Sequence, residues 1–431
     1  MKKYVYNFNW LFVEKTIRIL GGLFITIWVS RYLGPEGFGV LSYALAFVAF
    51  FSWASQLGLD QIVVKEITKK PDDVDRILGS AFALKLIGAL VSIALITIAI
   101  GFVMDVDELV QLAVGLTSLM YIFRAFDVID FYYQAKVLSK FSTIARNVAF
   151  LSVLVLQVYF IVAEYPVLYF VAATMIDVCL AAVFMLYLYG KTGDKIKKWK
   201  FNHTVAVDLM KYSWPLMISG FLVSIQMKID QVMIGSMLNI TDVGIYSIAV
   251  RLSEFWFFVP TIIASTLMPY FITLREENYH LYRERLCQLF SFMFWLGVIV
   301  GLIVFVLGEE AILYLFGESY GRAYGALLYN IWGGIFIAQG LAASIWLISE
   351  GMQKYSLYIQ MMAVSINIIL NILLIPVLGI EGAAISTLLT YFLATWLFGL
   401  FFKKLRGVTV MMIYASLPHH MFLYLKGRGH E

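Results

Sequence analysis

Long apolar runs alternate with short polar segments along the whole chain. A hydrocarbon core of roughly 30 Å takes about 20 apolar residues of helix. About twelve runs reach or approach that length, at 10–32, 38–57, 80–103, 109–132, 148–162 and 167–188, then 214–237, 243–267, 289–307, 327–348, 357–377 and 383–402. Between the two sets of six lies GKTGDKIKKWKFNHTVAVDLMKYS, Gly190 to Ser213, too polar to span and long enough to join two halves. The expected organisation is an N-terminal six-helix bundle at 1–189, a basic cytoplasmic linker at 190–213, a C-terminal six-helix bundle at 214–402 and a cytoplasmic tail at 403–431.

Breakers refine these boundaries. Pro35, Pro71 and Pro166 are expected in loops, Pro215 in the first turn of its helix, and only Pro260 near a helix middle, where it predicts a kink. The longest outer loop, Gly308 to Gly325, predicts a partial helix. In the tail, Val408 to Leu417 is too short to span and is expected at the interface or poorly ordered. The first run leads into further runs without an A-x-A-like cleavage site, which predicts a retained helix.

One stretch occurs twice. RYLGPEGFGVLSYA, Arg31 to Ala44, returns without gaps as SMLNITDVGIYSIA, Ser236 to Ala249, so that Leu33 falls on Leu238, Gly39 on Gly244, Ser42 on Ser247 and Ala44 on Ala249. Each copy joins two apolar runs through a short polar turn, the pattern of an internal duplication.

Composition leaves only a lipid-solvated class. With 61% apolar residues and 14% charged, the chain has too little polar surface to cover a water-soluble globule. Its mean hydropathy is +0.85. The net charge of +4 is spread through short loops, which argues against a nucleic-acid partner. Cys179 and Cys287 show no CxxC spacing, so neither a disulfide framework nor a metal site is expected. With the N-terminus on the cytoplasmic side, 24 of the 32 Lys and Arg fall on inner segments and only Arg31 and Arg322 on outer ones. That bias sets both termini inside and, six being even, inserts both halves in the same sense.

The remaining ionisable groups lie inside predicted spans: Lys15, Arg18, Lys85, Arg124, Lys228 and Arg251, with Glu14, Asp127, Asp130, Asp177, Asp230 and Glu254. Each costs about 2.5 to 3.5 kcal/mol at a helix centre, so they should face protein or water. Glu14 and Arg18, Arg124 and Asp127, and Arg251 and Glu254 share helix faces at spacings of three or four. Lys15, Lys85 and Asp130, near inner ends, are expected to snorkel to the headgroups. Arg18, Arg124, Lys228 and Arg251 are the candidates for a hydrated cavity that receives an anionic substrate, with structural ion pairing as the alternative.

Among the acids, Asp230 is a candidate proton or sodium site and Asp177 a weaker one, against the alternative of an acid satisfied in a helix interface. Asn367, Asn371 and Gln339 could hydrogen-bond sugar hydroxyls, although joining helices is the commoner role of such residues. No GxxxxGK[ST], HExxH or GxSxG occurs, and all five histidines fall in the linker, an inner loop or the tail. An ATP-driven motor or an enzyme is therefore not expected, nor any cofactor beyond a coupling H+ or Na+.

RYLGPEGFGVLSYA followed by QLGLDQIVVKEI, WPLMISGFLVSIQMKIDQVMIG, DVGIYSIAVRLSEFWFFVP, LMPY and INIILNILLIPVLGIEGAA resembles the Wzx-type polysaccharide (O-antigen or capsule repeat-unit) flippases of the multidrug/oligosaccharidyl-lipid/polysaccharide exporter superfamily. The resemblance implies an all-α integral membrane fold of about twelve transmembrane helices in two parallel-repeat six-helix bundles, V-shaped around a central cavity. It further implies alternating access in a prokaryotic cell (inner) membrane, flipping undecaprenyl-diphosphate-linked oligosaccharide from the cytoplasmic to the outer leaflet under an ion gradient. The implied partners are that lipid-linked oligosaccharide, membrane lipid and other glycan-assembly membrane proteins. A peptidoglycan lipid-precursor flippase, a cation-coupled multidrug exporter and a membrane oligosaccharide polymerase or ligase are the alternatives. Drug export predicts a carboxylate-rich cavity, the precursor flippase two further helices, and the polymerase a large outer loop.

Overall fold

The computed structural model describes residues 2–102, 107–192 and 195–417, with side chains at Trp10 and from Glu14 onward. The expectations for His419, His420, His430, Lys426 and Arg428 fall outside the described residues. Among the described residues there are helices and turns and no strand. The long helices are α1 (Lys2–Phe50), α2 (Val74–Phe102), α3 (Glu108–Ala135), α4 (Lys140–Val162), α5 (Val167–Lys191), α6 (His203–Met237), α7 (Ile240–Glu277), α8 (Tyr279–Phe316), α9 (Ala323–Ser349), α10 (Gln353–Leu378) and α11 (Ile380–Phe401). A short α12 (Arg406–Ala415) follows. Eleven of these are long and apolar enough to cross a membrane. The count meets the expected twelve because α1 holds two of the predicted runs, broken at Gly34, whose φ of 67° and ψ of 177° are not helical. Glycine tolerates that backbone and the following Pro35 disfavours a helical residue before it. This is an all-α integral membrane fold.

By packing, the chain divides into two units, Met1–Gly244 and Ile245–Glu431. In the first, α4 lies against α5 and α1, and α6 packs on α1 and α2. The interior is built from short helices as well as spans: Leu59, Val63 and Ile67 of the helix Leu59–Lys69 are buried with Leu78, Val128, Ile129 and Tyr189. The polar joint before α6 is pinned rather than loose. Lys200 N donates to Asp75 O at 3.1 Å, Asn202 N donates to Ser80 Oγ at 3.0 Å, and Ser80 Oγ donates to Asn202 O at 3.1 Å. Asn202 Oδ1 accepts from Val205 N and caps α6. The helix thus begins at His203, so Pro215 stands in its interior and not in its first turn. Pro260, Pro269 and Pro376 are also inside helices, against the single mid-helix proline expected.

The duplicated turns meet within this first unit. A Cβ added at Gly39 would fall on the carbonyl oxygen of Ile240, and one added at Gly244 would fall on that of Pro35. Gly39 and Gly244, and Pro35 and Ile240, are the corresponding positions of the two copies. Absent side chains let the two backbones touch in a reciprocal way, as small residues do at close helix contacts in membranes.

In the second unit, α8 packs on α9, and α9 and α10 each pack on α11. The expected loop at Gly308 to Gly325 is mostly helix, since α8 runs to Phe316 and α9 resumes at Ala323 after a 3-10 turn at Glu318–Tyr320. The segment expected at the interface or poorly ordered is α12, whose Val408, Met412 and Ala415 are buried with Leu286, Phe290 and Ala338. Apolar residues four and seven apart give this short helix a face that the bundle covers.

Candidate substrate cavity

The first unit bears a half-open polar cavity of about 330 Å³ whose charged walls are Glu14 and Arg18 of α1, Arg124 and Asp127 of α3, Arg146 of α4 and Asp177 of α5. Four membrane-spanning helices therefore turn ionisable groups toward one space instead of toward lipid, as the insertion cost requires. Three guanidinium groups face three carboxylates.

Arg18 stands at one side. Its Nη1 is 3.5 Å from Asp177 Oδ2, its Nε 4.0 Å from Glu14 Oε1, and its Nη2 donates to Arg146 O at 3.1 Å. The side chain keeps 34% of its surface accessible, so the guanidinium is paired without being sealed. Arg124 packs over the Tyr121 ring at 5.9 Å. Arg146 is the centre of the network: Nη2 donates to Asp130 Oδ2 at 2.6 Å and lies 3.9 Å from Asp127 Oδ1, while Nη1 is 3.6 Å from Glu14 Oε1. Glu14 Oε2 also accepts from Thr143 Oγ1 at 3.0 Å. Short charge-assisted contacts of this kind fix side-chain direction.

Lys85 and Asp130 do not snorkel to headgroups. Lys85 is 2% exposed, with Nζ 3.9 Å from Asp127 Oδ2 and 5.0 Å from the Phe131 ring centroid. Asp130 is 3% exposed and holds both Arg146 and Gln134 Nε2, the latter at 2.9 Å. A counter-charge inside the bundle is nearer than the headgroups, which decides where these groups point. Lys15, by contrast, is exposed.

Of the expected cationic set, Arg18 and Arg124 share this cavity. Lys228 and Asp230 lie on α6, half-buried and buried, and are not part of its wall. Arg251 and Glu254 belong to the second unit, both half-buried on α7. Asp177, expected to be the weaker coupling acid, is in the cavity and shares Arg18; its Oδ1 makes no hydrogen bond. Arg146 precedes the apolar run at 148–162 and so reads as one of the inner-segment cations, but the helix that carries it begins eight residues before that run. Lys140, Arg146 and Asn147 look like a solvated segment until Arg146 is seen to meet Glu14 of α1.

The amides of the second unit are engaged within the protein. Asn371 Nδ2 donates to Asn367 Oδ1 at 3.3 Å, and Asn367 Nδ2 lies 3.5 Å from Thr387 Oγ1, tying α10 to α11. Gln339 is fully buried; it accepts from Trp396 Nε1 at 2.7 Å and donates to Ser416 Oγ at 2.9 Å. These contacts join helices, the commoner role for such residues.

Comparison with known proteins follows the same lines. Residues 5–275 match the family model described as polysaccharide biosynthesis protein. The capsular polysaccharide biosynthesis protein CapF of Staphylococcus aureus is 22% identical over 418 residues, 93% of this chain and all of that one. The probable flippase AglR of Haloferax volcanii is 27% identical over 218 residues, 49% of this chain and 40% of that one. Among solved structures, the inward-facing conformation of a multidrug resistance MATE family transporter of the MOP superfamily superposes with a TM-score of 0.74 at 17% identity, covering 93% of this chain and 96% of that one. At that identity the likeness is one of fold.

Proposed function

Because the chain belongs to the polysaccharide biosynthesis protein family, we propose that it is a flippase that carries undecaprenyl-diphosphate-linked oligosaccharide repeat units from the cytoplasmic to the outer leaflet by alternating access. The observation that carries this reading is the set of guanidinium groups, Arg18, Arg124 and Arg146, on the wall of a cavity within membrane-spanning helices. A planar guanidinium offers a fork of N–H donors to a phosphate, and a diphosphate can engage two such forks. Arg18 and Arg124 make the first contacts in this scheme. Arg146, with three carboxylates around it, orients the wall. The glycan extends from the diphosphate and the polyprenyl chain stays in lipid, so the cavity has to accommodate only the charged headgroup and its sugars.

Coupling to a proton or sodium gradient belongs to the same proposal. Asp177 is the preferred coupling acid, since it shares Arg18 with the incoming diphosphate, and Asp230 is the second candidate. The protein works in the prokaryotic cell membrane with both termini cytoplasmic, as the distribution of Lys and Arg favours. Glu14, Asp127 and Asp177 in the same wall equal the arginines in number, and this balance favours, as a second reading, export of small cationic compounds.

The test is Arg124→Ala in a host that depends on this chain for surface glycan. Display is expected to be abolished with the protein still at its normal level in the membrane. Undiminished display would overturn the proposal, and loss of cation efflux with undiminished display would establish the second reading.

A further inference from the structure

The second unit contains a different kind of opening. A groove of about 170 Å³ lies beneath α12, walled by Ala343, Leu347, Ile359, Leu405, Val408 and Met412. Its walls come from α9, α10, α12 and the turn before α12, and its surface is predominantly apolar. The π-helical segment Leu393–Leu397 of α11 contributes Ala394 and Thr395, two small side chains that leave the space unfilled.

In the chain, exposed basic residues flank the wall residues at one end of the groove. Leu405 is a wall residue, and its neighbours Lys403, Lys404 and Arg406 are exposed. Ser356 is another wall residue, two positions from the exposed Lys354. Ring contact brings the start of α10 and the turn before α12 together: Tyr355 meets Phe402 with centroids 5.4 Å apart, and Lys354 Nζ lies 5.5 Å from the Tyr355 ring. The nearby acid, Glu350, is engaged by Arg275 Nη2 at 3.1 Å. A strongly cationic rim therefore opens onto an apolar slot in a helix bundle solvated by lipid. Anionic headgroups are drawn to such clusters, more strongly with each added Lys or Arg near the membrane surface.

We propose that this groove binds one acyl chain of an anionic glycerophospholipid, with the lipid phosphate against the turn Lys403–Arg406. Arg406 Nε donates to Leu400 O at 2.8 Å and so holds the turn in place. Lys403, Lys404 and Lys354 supply the attraction. Chain and headgroup are recognised separately, the chain by the slot and the charge by the rim. The bound lipid is a bulk membrane component and not the transported one, and it braces α12 against α9 and α10.

The test uses the purified full-length chain, delipidated in detergent and offered dioleoyl-phosphatidylglycerol or dioleoyl-phosphatidylcholine, with bound lipid counted by native mass spectrometry. The unaltered protein is expected to retain the anionic lipid about tenfold better, the order set by two basic groups in a partly screened site. Lys403→Gln with Lys404→Gln should abolish that preference, and Ala343→Phe should reduce retention of both lipids. Equal retention of the two lipids by the unaltered protein, or undiminished retention in Ala343→Phe, would overturn the proposal. So would displacement of phosphatidylglycerol by an equal concentration of a polyprenyl phosphate. Should Ala343→Phe not fold, phosphatidylglycerol with brominated chains is added to the unaltered protein. Quenching of the emission that Trp346→Phe removes is expected, since Trp346 borders the groove, and absence of quenching overturns it.

Discussion

The two units of this chain bury polarity in different ways. In Met1–Gly244, carboxylates and cations run in an unbroken series from Lys85 through Asp127, Arg146 and Glu14 to Arg18 and Asp177, with successive separations of 3.9, 3.9, 3.6, 4.0 and 3.5 Å. In Ile245–Glu431, buried amides join neutral partners, Gln339 with Trp396 and Ser416 and Asn367 with Asn371 and Thr387, beside the ion pair of Arg275 with Glu350. Neutral amides suffice to hold helices together in a membrane. Full charges are costly to insert and do that task no better, so each has to be met by a counter-charge, as the series does. The two units therefore hold their interiors together by different chemistry, one with an ionic network and the other chiefly with amides.

Removing the centre of the charged series is the strongest way to break this contrast. Arg146→Ala would leave the buried Asp130 carboxylate without its cation and take one partner each from Asp127 and Glu14, which keep Lys85 and Arg18. Uncompensated buried charge of this type costs about 3 to 5 kcal/mol. The expected result is a large fall in the thermal midpoint in detergent together with loss of transport. Arg146→Met combined with Asp130→Asn should recover part of the midpoint without restoring transport. A midpoint unchanged in Arg146→Ala would mean that the series is not a cohesive network.

The next largest effect separates binding from cohesion. Arg18 is 34% accessible and makes its longest contact, 4.0 Å, with Glu14, so Arg18→Ala is expected to cut transport at least about tenfold, as loss of one charge-assisted phosphate contact does. Its thermal midpoint should move much less than that of Arg146→Ala. Gln339→Leu is the mirror experiment in the other unit. It strands Trp396 Nε1 and removes the donor to Ser416 Oγ, which keeps its bond to Met412 O, costing about 1 to 3 kcal/mol of stability. Transport per folded molecule is expected to persist. If Gln339→Leu abolished transport at an unchanged midpoint, the second unit's amides would be ligand groups and the contrast would fail.

How much of this was legible in the sequence depended on the range of the interactions involved. Spans follow from apolar run length, a local property, and even the break at Gly34–Pro35 was readable as a turn. Facing pairs on one helix, such as Glu14 with Arg18, were readable from spacing. Partners on different helices were not. Asp127 shares a helix face with Arg124 in sequence terms, yet its carboxylate stands within 3.9 Å of both Lys85 and Arg146. Lys85 and Asp130 looked like residues bound for the headgroups because their depth was known and their neighbours were not. The helix α12 was underestimated for the same reason, since a ten-residue segment acquires its order from Leu286, Phe290 and Ala338 on helices far away in the chain.

The smallest expected effect lies at the end of the charged series outside the spans. Asp60, on the short helix Leu59–Lys69, has an exposed edge, yet the protein around its carboxylate strips away solvent and pushes its pKa above the ordinary value; Lys85 opposes the shift, while Asp127 and Asp130 add to it. A carboxyl whose folded pKa is raised favours the folded state when protonated. Its charged form therefore subtracts stability at pH above the folded value, and the penalty disappears as pH falls below the unfolded value. Asp60→Asn should accordingly raise the thermal midpoint slightly at pH 7, and the gain should shrink to nothing as the pH is lowered through the ordinary carboxylate range. A midpoint lowered at pH 7 would show instead that Lys85 outweighs desolvation and that Asp60 is a working member of the ionic series, extending it from the cavity to the short helix.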